Sequence, residues 1–178
     1  TTLGVNVSTS IKVKTSYGKT YNAIAKITGS TRPEEYIVYT AHWDHLGIGK
    51  PDASGDSIYN GAIDNSGGVA LLLEIAKAFS VLKNKPERTV VFLAVTAEEQ
   101  GLWGSAYYSQ DPVYSLDKTV ANINMDFTNT SGKMKDITVT GKGQSDLEDI
   151  LGEEAAKLGR YPAPEPHPEA GYYFRSDH

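Results

Sequence analysis

Five positions scattered along the chain carry groups that bind cations and move protons: His42, Asp64, the adjacent pair Glu98 and Glu99, and Asp126. The chain has no cysteine, which excludes disulfides, thiolate nucleophiles and cysteine-held zinc. Any metal must therefore be held by His, Asp and Glu, the donor set of catalytic rather than structural zinc. Each residue alone has an ordinary use. His42 suits a turn after a strand, Asp64 a helix cap, Glu98 and Glu99 the solvated first turn of a helix, and Asp126 the start of a turn. These uses fail together, because Glu98 follows a run apolar enough to be fully buried. Several carboxylates gathered there without a cation would repel one another and be driven toward protonation. A pair of divalent cations removes that cost.

The elements around these residues explain why they should meet. Residues 36–41 (Tyr-Ile-Val-Tyr-Thr-Ala) are β-branched and aromatic, and residues 90–95 (Val-Val-Phe-Leu-Ala-Val) are wholly apolar; both read as buried strands. Residues 120–125 read as a third strand. The three runs end at His42, at Glu98 with Glu99, and at Asp126. Ligands of open α/β sheets bind outside the carboxyl ends of strands, so the three ends should share one sheet edge. Asp64 joins from a loop that opens a helix, where a carboxylate also gains from the helix N-terminus. In that helix Val69, Leu72, Leu73, Ala76 and Phe79 recur at three- and four-residue steps.

The remaining chain supplies flanking structure. Residues 11–28 read as a hairpin turning at 16–19, residues 30–35 as a polar turn and residues 49–61 as a Gly/Asp/Ser/Pro-rich loop. Residues 102–109 read as a helix, 136–140 as a short strand, 145–158 as a helix capped by Ser145, and 162–168 as a proline-rich loop. Alternating strands and helices predict an α/β fold: a mixed, mostly parallel central sheet with helices on both faces.

Length and composition narrow the function classes. With 178 residues the chain suits one domain over 1–178. Hydrophobic residues make up 39% and charged residues 22%, a globular balance. The formal net charge is −5 and no basic patch forms, so nucleic acid is not an expected partner. No run is apolar and long enough to span a bilayer, so no membrane partner is expected either. Thr1-Thr2-Leu3-Gly4 carries neither an initiator Met nor a signal-peptide pattern, so a trimmed start is expected.

Five blocks then occur in order: Ala41-His42-Trp43-Asp44, Gly61-Ala62-Ile63-Asp64-Asn65-Ser66-Gly67-Gly68, Thr96-Ala97-Glu98-Glu99-Gln100-Gly101-Leu102-Trp103-Gly104-Ser105, Asn124-Met125-Asp126 and Ser176-Asp177-His178. From about residue 20 to the last residue the chain resembles the family of di-zinc exopeptidases that includes bacterial leucyl aminopeptidase, aminopeptidase Y and glutamate carboxypeptidase. A single block such as Ala97-Glu98-Glu99 is weak; five in order are specific. The resemblance implies two zinc ions and a peptide substrate. By it, His42 and Asp126 would hold one zinc, Glu99 and His178 the other, and Asp64 would bridge both. Glu98 would be the general base acting on a water that bridges the metals, and Asp44 would orient the His42 ring, since residues i and i+2 of an extended segment share a face. His45 is a competing ligand candidate, weighed here as a structural residue.

The same resemblance implies that the family's chain continues past His178, so the domain is expected to be truncated at its C-terminal side and its activity in this form open. It also makes export, to the periplasm or beyond, the expected location. Alternatives are a single-zinc glutaminyl cyclase, a carboxypeptidase whose carboxylate clamp could be Arg175, an inactive relative that has lost its ligands, and a calcium-binding module. Calcium takes six to eight oxygens and rarely imidazole, which disfavours the last. Tyr172, Tyr173 and Phe174 are the expected contributors to a specificity pocket.

Overall fold

The computed structural model describes residues 4–178; the expected trimmed start falls mostly on Thr1 to Leu3, outside the described residues. The strongest apolar run forms β5 (Arg88–Val95), buried along nearly its whole length at the centre of a sheet. β2 (Arg32–His42) pairs with it in parallel, β6 (Thr119–Asn124) pairs in parallel with β2, and β1 (Ala23–Ile27) pairs antiparallel with β5. The order is β1-β5-β2-β6, a mixed and mostly parallel sheet.

Successive residues of a strand face opposite sides, so the sheet builds two cores. On one side Val38, Val91, Leu93 and Val95 pack with Tyr108 of α2 (Trp103–Gln110). On the other, Ala41, Val90 and Phe92 pack with Leu72 of α1 (Ser66–Ser80), and Tyr39, Phe79 and Met125 close around them. Helices thus cover both faces. Each fully buried Val, Leu or Phe contributes about 1.5–3 kcal/mol, so the two cores fix the strands firmly.

The register does the work that matters for the site. His42 is level with Val95, and Thr40 is level with both Leu93 and Asn124. The carboxyl ends of β2, β5 and β6 therefore reach the same edge. The ladder even continues one step beyond β6, where the Met125 amide donates to the Thr40 carbonyl at 2.9 Å.

Several outlying elements differ from expectation. Residues 11–20 form no strand: Ile11 and Val13 are 77% and 79% exposed, and the alternating pattern finds no partner. Instead of a local hairpin, β1 pairs with β5, far along the chain. The loop at 49–61 holds the outer strand of a minimal ribbon of β3 (Gly47–Ile48) and β4 (Ile58–Tyr59). β7 (Asp136–Val139) pairs in parallel with β8 (Tyr161–Pro164), a strand placed where a proline-rich loop was expected. α3 (Leu147–Lys157) begins one residue later than expected, with Asp146 at the cap position; Ser145 Oγ still accepts from the Leu147 amide at 3.3 Å.

Candidate metal centre

His42 closes β2 with a side chain only 2% exposed. Its Nδ1–H donates to the backbone carbonyl of Asp44 at 3.1 Å. A carbonyl can only accept, so once the ring is neutral this contact selects the tautomer whose Nε2 lone pair is free. That Nε2 lies 3.0 Å from Asp64 Oδ1, 3.3 Å from Asp126 Oδ1 and 4.0 Å from Glu98 Oε2.

The Glu98-Glu99 pair sits where β5 stops. Ala97 has φ 54°, in the left-handed region that non-glycine residues seldom occupy, and turns the chain sharply out of the strand. Asp44 then grips both following amides: Glu98 N–H donates to Oδ1 at 3.1 Å and Glu99 N–H to Oδ2 at 3.3 Å. The expected contact of the Asp44 carboxylate with the His42 ring is only 3.8 Å, without hydrogen-bond geometry. Asp44 thus holds the ring by its backbone and the glutamates by its side chain. The two glutamate side chains diverge. Glu98 joins His42 and Asp126 in one group, and Glu99 joins His45 and Asp64 in a second; within each group the ligand atoms lie within 4.8 Å of one another.

Asp64 links the two groups, since it belongs to the second and touches His42 of the first. It is free to do so because Asn65 takes the cap of α1: Asn65 Oδ1 accepts from the Gly68 amide at 3.0 Å and Nδ2 donates to the Met125 carbonyl at 3.0 Å. Asp126 is held by a chain of side chains rooted in the sheet. Thr40 Oγ1 donates to Asn124 Oδ1 at 2.7 Å, Asn124 Nδ2 to Ser176 Oγ at 2.7 Å, and Ser176 Oγ to Asp126 Oδ2 at 2.8 Å. Oδ2 is thereby occupied and Oδ1 faces His42. Ser176 and Asn124 stood in the sequence blocks without an assigned part, and no local pattern marks a relay assembled from three distant segments. Replacing Ser176 with Ala is expected to weaken zinc binding by about 10–100-fold, the usual cost of losing a group that orients a metal ligand, with Ser176→Thr restoring much of it; competition with a chromogenic chelator measures both.

His178 belongs to neither group. Its ring lies on Tyr173, centroids 4.5 Å apart, and its carbonyl accepts from Asn122 Nδ2 at 3.4 Å. Arg175 is exposed and lies over the Tyr172 ring at 5.7 Å. Asp177 is buried beside Ser105, whose hydroxyl donates to its Oδ1.

The electrostatics are those of a site short of positive charge. Burial alone would lower the His42 pKa, but the hydrogen bond and charge of Asp126, with the charge of Glu98, outweigh it and push His42 up to about 9. Burial raises Glu98 to about 7, opposed by His42 and aided by Asp126, Asp177 and Glu99. Burial also raises Asp177, whereas in Asp126 the bonds from His42 and Ser176 overcome burial and lower it. Both large shifts are upward, so in the metal-free protein the fold binds these protons more tightly than the unfolded chain does. His42 contributes stability that is full below its ordinary 6.5 and lost as pH rises through about 9. Glu98 contributes stability that is full below its ordinary 4.5 and lost through about 7. The Tm of the metal-free protein is therefore expected to fall from about pH 4.5 to about pH 9. Because a metal must displace these protons, the gap between zinc-loaded and metal-free Tm should widen over the same range; differential scanning fluorimetry across pH reads both.

The donor atoms themselves indicate whether a cation fits. His45 Nδ1 and Glu99 Oε1 are buried 2.6 Å apart without hydrogen-bond geometry, and the Asp64 carboxylate, whose Oδ1 also meets His42 Nε2 at 3.0 Å, completes the second group. Two carboxylates converging on one imidazole repel each other unless a cation sits among them. Imidazole nitrogen with carboxylate oxygen is a zinc donor set, and zinc would satisfy all three at once.

Known proteins are similar to this chain in sequence and fold. The sequence profile described as Peptidase family M28 matches residues 22–178. The aminopeptidase NAALADL1 of Mus musculus is 32% identical over 130 residues, covering 70% of this chain and 16% of its own length. Among solved structures, a peptidase M28 precursor from Shewanella amazonensis superposes with a TM-score of 0.62 at 30% identity, over 81% of this chain and 30% of that one. The Porphyromonas gingivalis glutaminyl cyclase superposes with a TM-score of 0.64 at 25% identity, over 80% and 54%. The chain spans only 16% to 25% of the length of the curated relatives it matches first.

Proposed function

Because the chain belongs to peptidase family M28, we propose that it carries the zinc-binding core of an exopeptidase that removes the N-terminal residue of peptides. The observation that carries this reading is the sharing of Asp64 between two ligand groups, 3.0 Å from His42 on one side and among His45 and Glu99 on the other. Two zinc ions would be held there, one by His42 and Asp126, the other by Glu99, with Asp64 between them.

Bound zinc supplies Lewis acidity at the scissile carbonyl and lowers the pKa of the attacking water. The remaining work falls to the chain. Glu98 is the general base: at 4.0 Å it is the most distant of the three carboxylates around His42 Nε2, and a largely buried carboxylate is the group that can take a proton from water and return it to the leaving amine. Asp44 holds the Glu98 and Glu99 amides so that one side chain serves as base and the other as ligand. Asp126 is kept in place by Ser176.

The choice of an N-terminal substrate rests on charge. Glu98, Glu99, Asp64, Asp126 and Asp177 make the region strongly acidic, which suits a free α-ammonium better than a free α-carboxylate. Arg175, the cation that could clamp a carboxylate, instead lies over Tyr172. A second reading, cyclisation of N-terminal glutamine, is favoured by the likeness to the glutaminyl cyclase structure. Export is part of the proposal, in keeping with the precursor form of the Shewanella amazonensis relative; no helix of the described residues is long and apolar enough to cross a membrane.

The test is an assay of the zinc-loaded, full-length protein on aminoacyl anilides, N-acetylated peptides and glutaminyl peptides. Release of the N-terminal residue from free but not acetylated substrates is expected. Release from the C-terminus, or cyclisation without hydrolysis, would overturn the reading.

A further inference from the structure

The second ligand group contains an imidazole that the resemblance does not place there. We infer that His45, through Nδ1, is itself a ligand of the second zinc, alongside Glu99 and Asp64; this rests on the two-zinc reading above. Three observations carry it. First, His45 Nδ1 lies 2.6 Å from Glu99 Oε1, yet neither atom has a hydrogen-bond partner. A contact this short without hydrogen-bond geometry leaves the lone pairs of both atoms open to a shared cation. Second, the Asp64 carboxylate, already 3.0 Å from His42 Nε2 through Oδ1, also comes within 4.8 Å of the His45 and Glu99 ligand atoms. One cation bound by His45, Glu99 and Asp64 satisfies all three side chains, whereas a simple His45–Glu99 ion pair gives no reason for a second carboxylate to converge on the same imidazole.

Third, the ring is held in this position by its surroundings. Tyr59 of β4 meets it edge-on, centroids 6.5 Å apart. Behind it, Gly61 comes so close that a Cβ there would stand 2.9 Å from both Cβ and Cγ of His45 and 2.8 Å from the Asp64 carbonyl. Gly61 has φ 63°, so the position needs glycine for its backbone as well. The small β3–β4 ribbon and the Gly61 turn thus set His45 against the same loop that delivers Asp64. The His178 ring lies on Tyr173, outside both groups.

The experiment is a zinc titration of the full-length, metal-free protein in its wild-type, His45→Ala, His45→Gln and His178→Ala forms, followed by zinc-edge X-ray absorption at saturating metal. Gln fills most of the imidazole's space against Tyr59, so a loss shared by Ala and Gln reports the missing nitrogen rather than a collapsed loop. The wild type is expected to bind two zinc ions. Both His45 variants should keep one site at wild-type affinity, weaken the other by about 100-fold or more, and show fewer imidazole nitrogens per zinc. Wild-type affinity at both sites in the His45 variants, or an unchanged imidazole count, overturns the inference and leaves the two-zinc reading standing. So does loss of the second site in His178→Ala alone. A wild type that binds no zinc overturns both.

Discussion

The Glu98→Gln protein is expected to keep its zinc and lose turnover, with kcat down on the order of 10²–10⁴-fold, the range that general acid–base catalysis supplies. The substitution preserves size and shape but leaves an amide that cannot accept the water proton. Geometry separates this outcome from loss of a ligand. Around His42 Nε2, Asp64 and Asp126 stand at 3.0 and 3.3 Å, while Glu98 stands at 4.0 Å. Removing its charge should therefore spare the metal. KM should change little, since the interaction lost belongs to the transition state. Steady-state kinetics with zinc content measured on the same sample decides between roles. Full zinc with near wild-type kcat removes Glu98 from the base role, and loss of zinc makes it a ligand.

Stripping the metal is expected to have the larger effect on the fold. At free zinc about a thousandfold above Kd, binding to the folded state alone contributes about 4 kcal/mol. For a protein of this size each kcal/mol shifts Tm by about 2–4 °C, so chelation should lower Tm by about 8–16 °C. The structural reason lies in the two groups of acids. Without a cation, Asp64, Glu98, Glu99 and Asp126 crowd one sheet edge, and His42 and Glu98 retain protons only at the expense of their ordinary chemistry. Thermal melts with and without chelator, at fixed pH, measure the drop, and returned zinc should restore the original Tm along with activity.

The central strands were legible because burial on both faces leaves a plain mark: an apolar run has few other uses. From those runs alone it followed that His42, Glu98 and Asp126 end strands, and the parallel register that makes the ends level is a consequence of strand order that helical crossovers impose. Long-range polar contacts left no such mark. Asp44 sits two residues from His42, which suggested a contact with the ring, yet its carboxylate reaches amides more than fifty residues away. His45 lies beyond the end of β2, where no periodicity says which way a side chain turns; the pairing of Gly47 with Tyr59 and the close approach of Gly61 decide it. β8 was hidden for a different reason. Pro162 and Pro164 argue against a strand, but β8 pairs only with β7 as one edge of a two-stranded ribbon, where a missing amide donor is tolerated. Ile11 and Val13 misled in the opposite sense, since alternation predicts a strand only when a partner edge is within reach.

Anomalous diffraction at the zinc edge, from crystals of the zinc-loaded full-length protein, tests most directly whether these side chains grip a metal pair. The expected map holds two peaks about 3.5–4 Å apart, one beside His42 and Asp126, the other beside Glu99, with the Asp64 carboxylate between them. A map with no peak among these residues, or with the metal bound elsewhere on the molecule, would contradict the account.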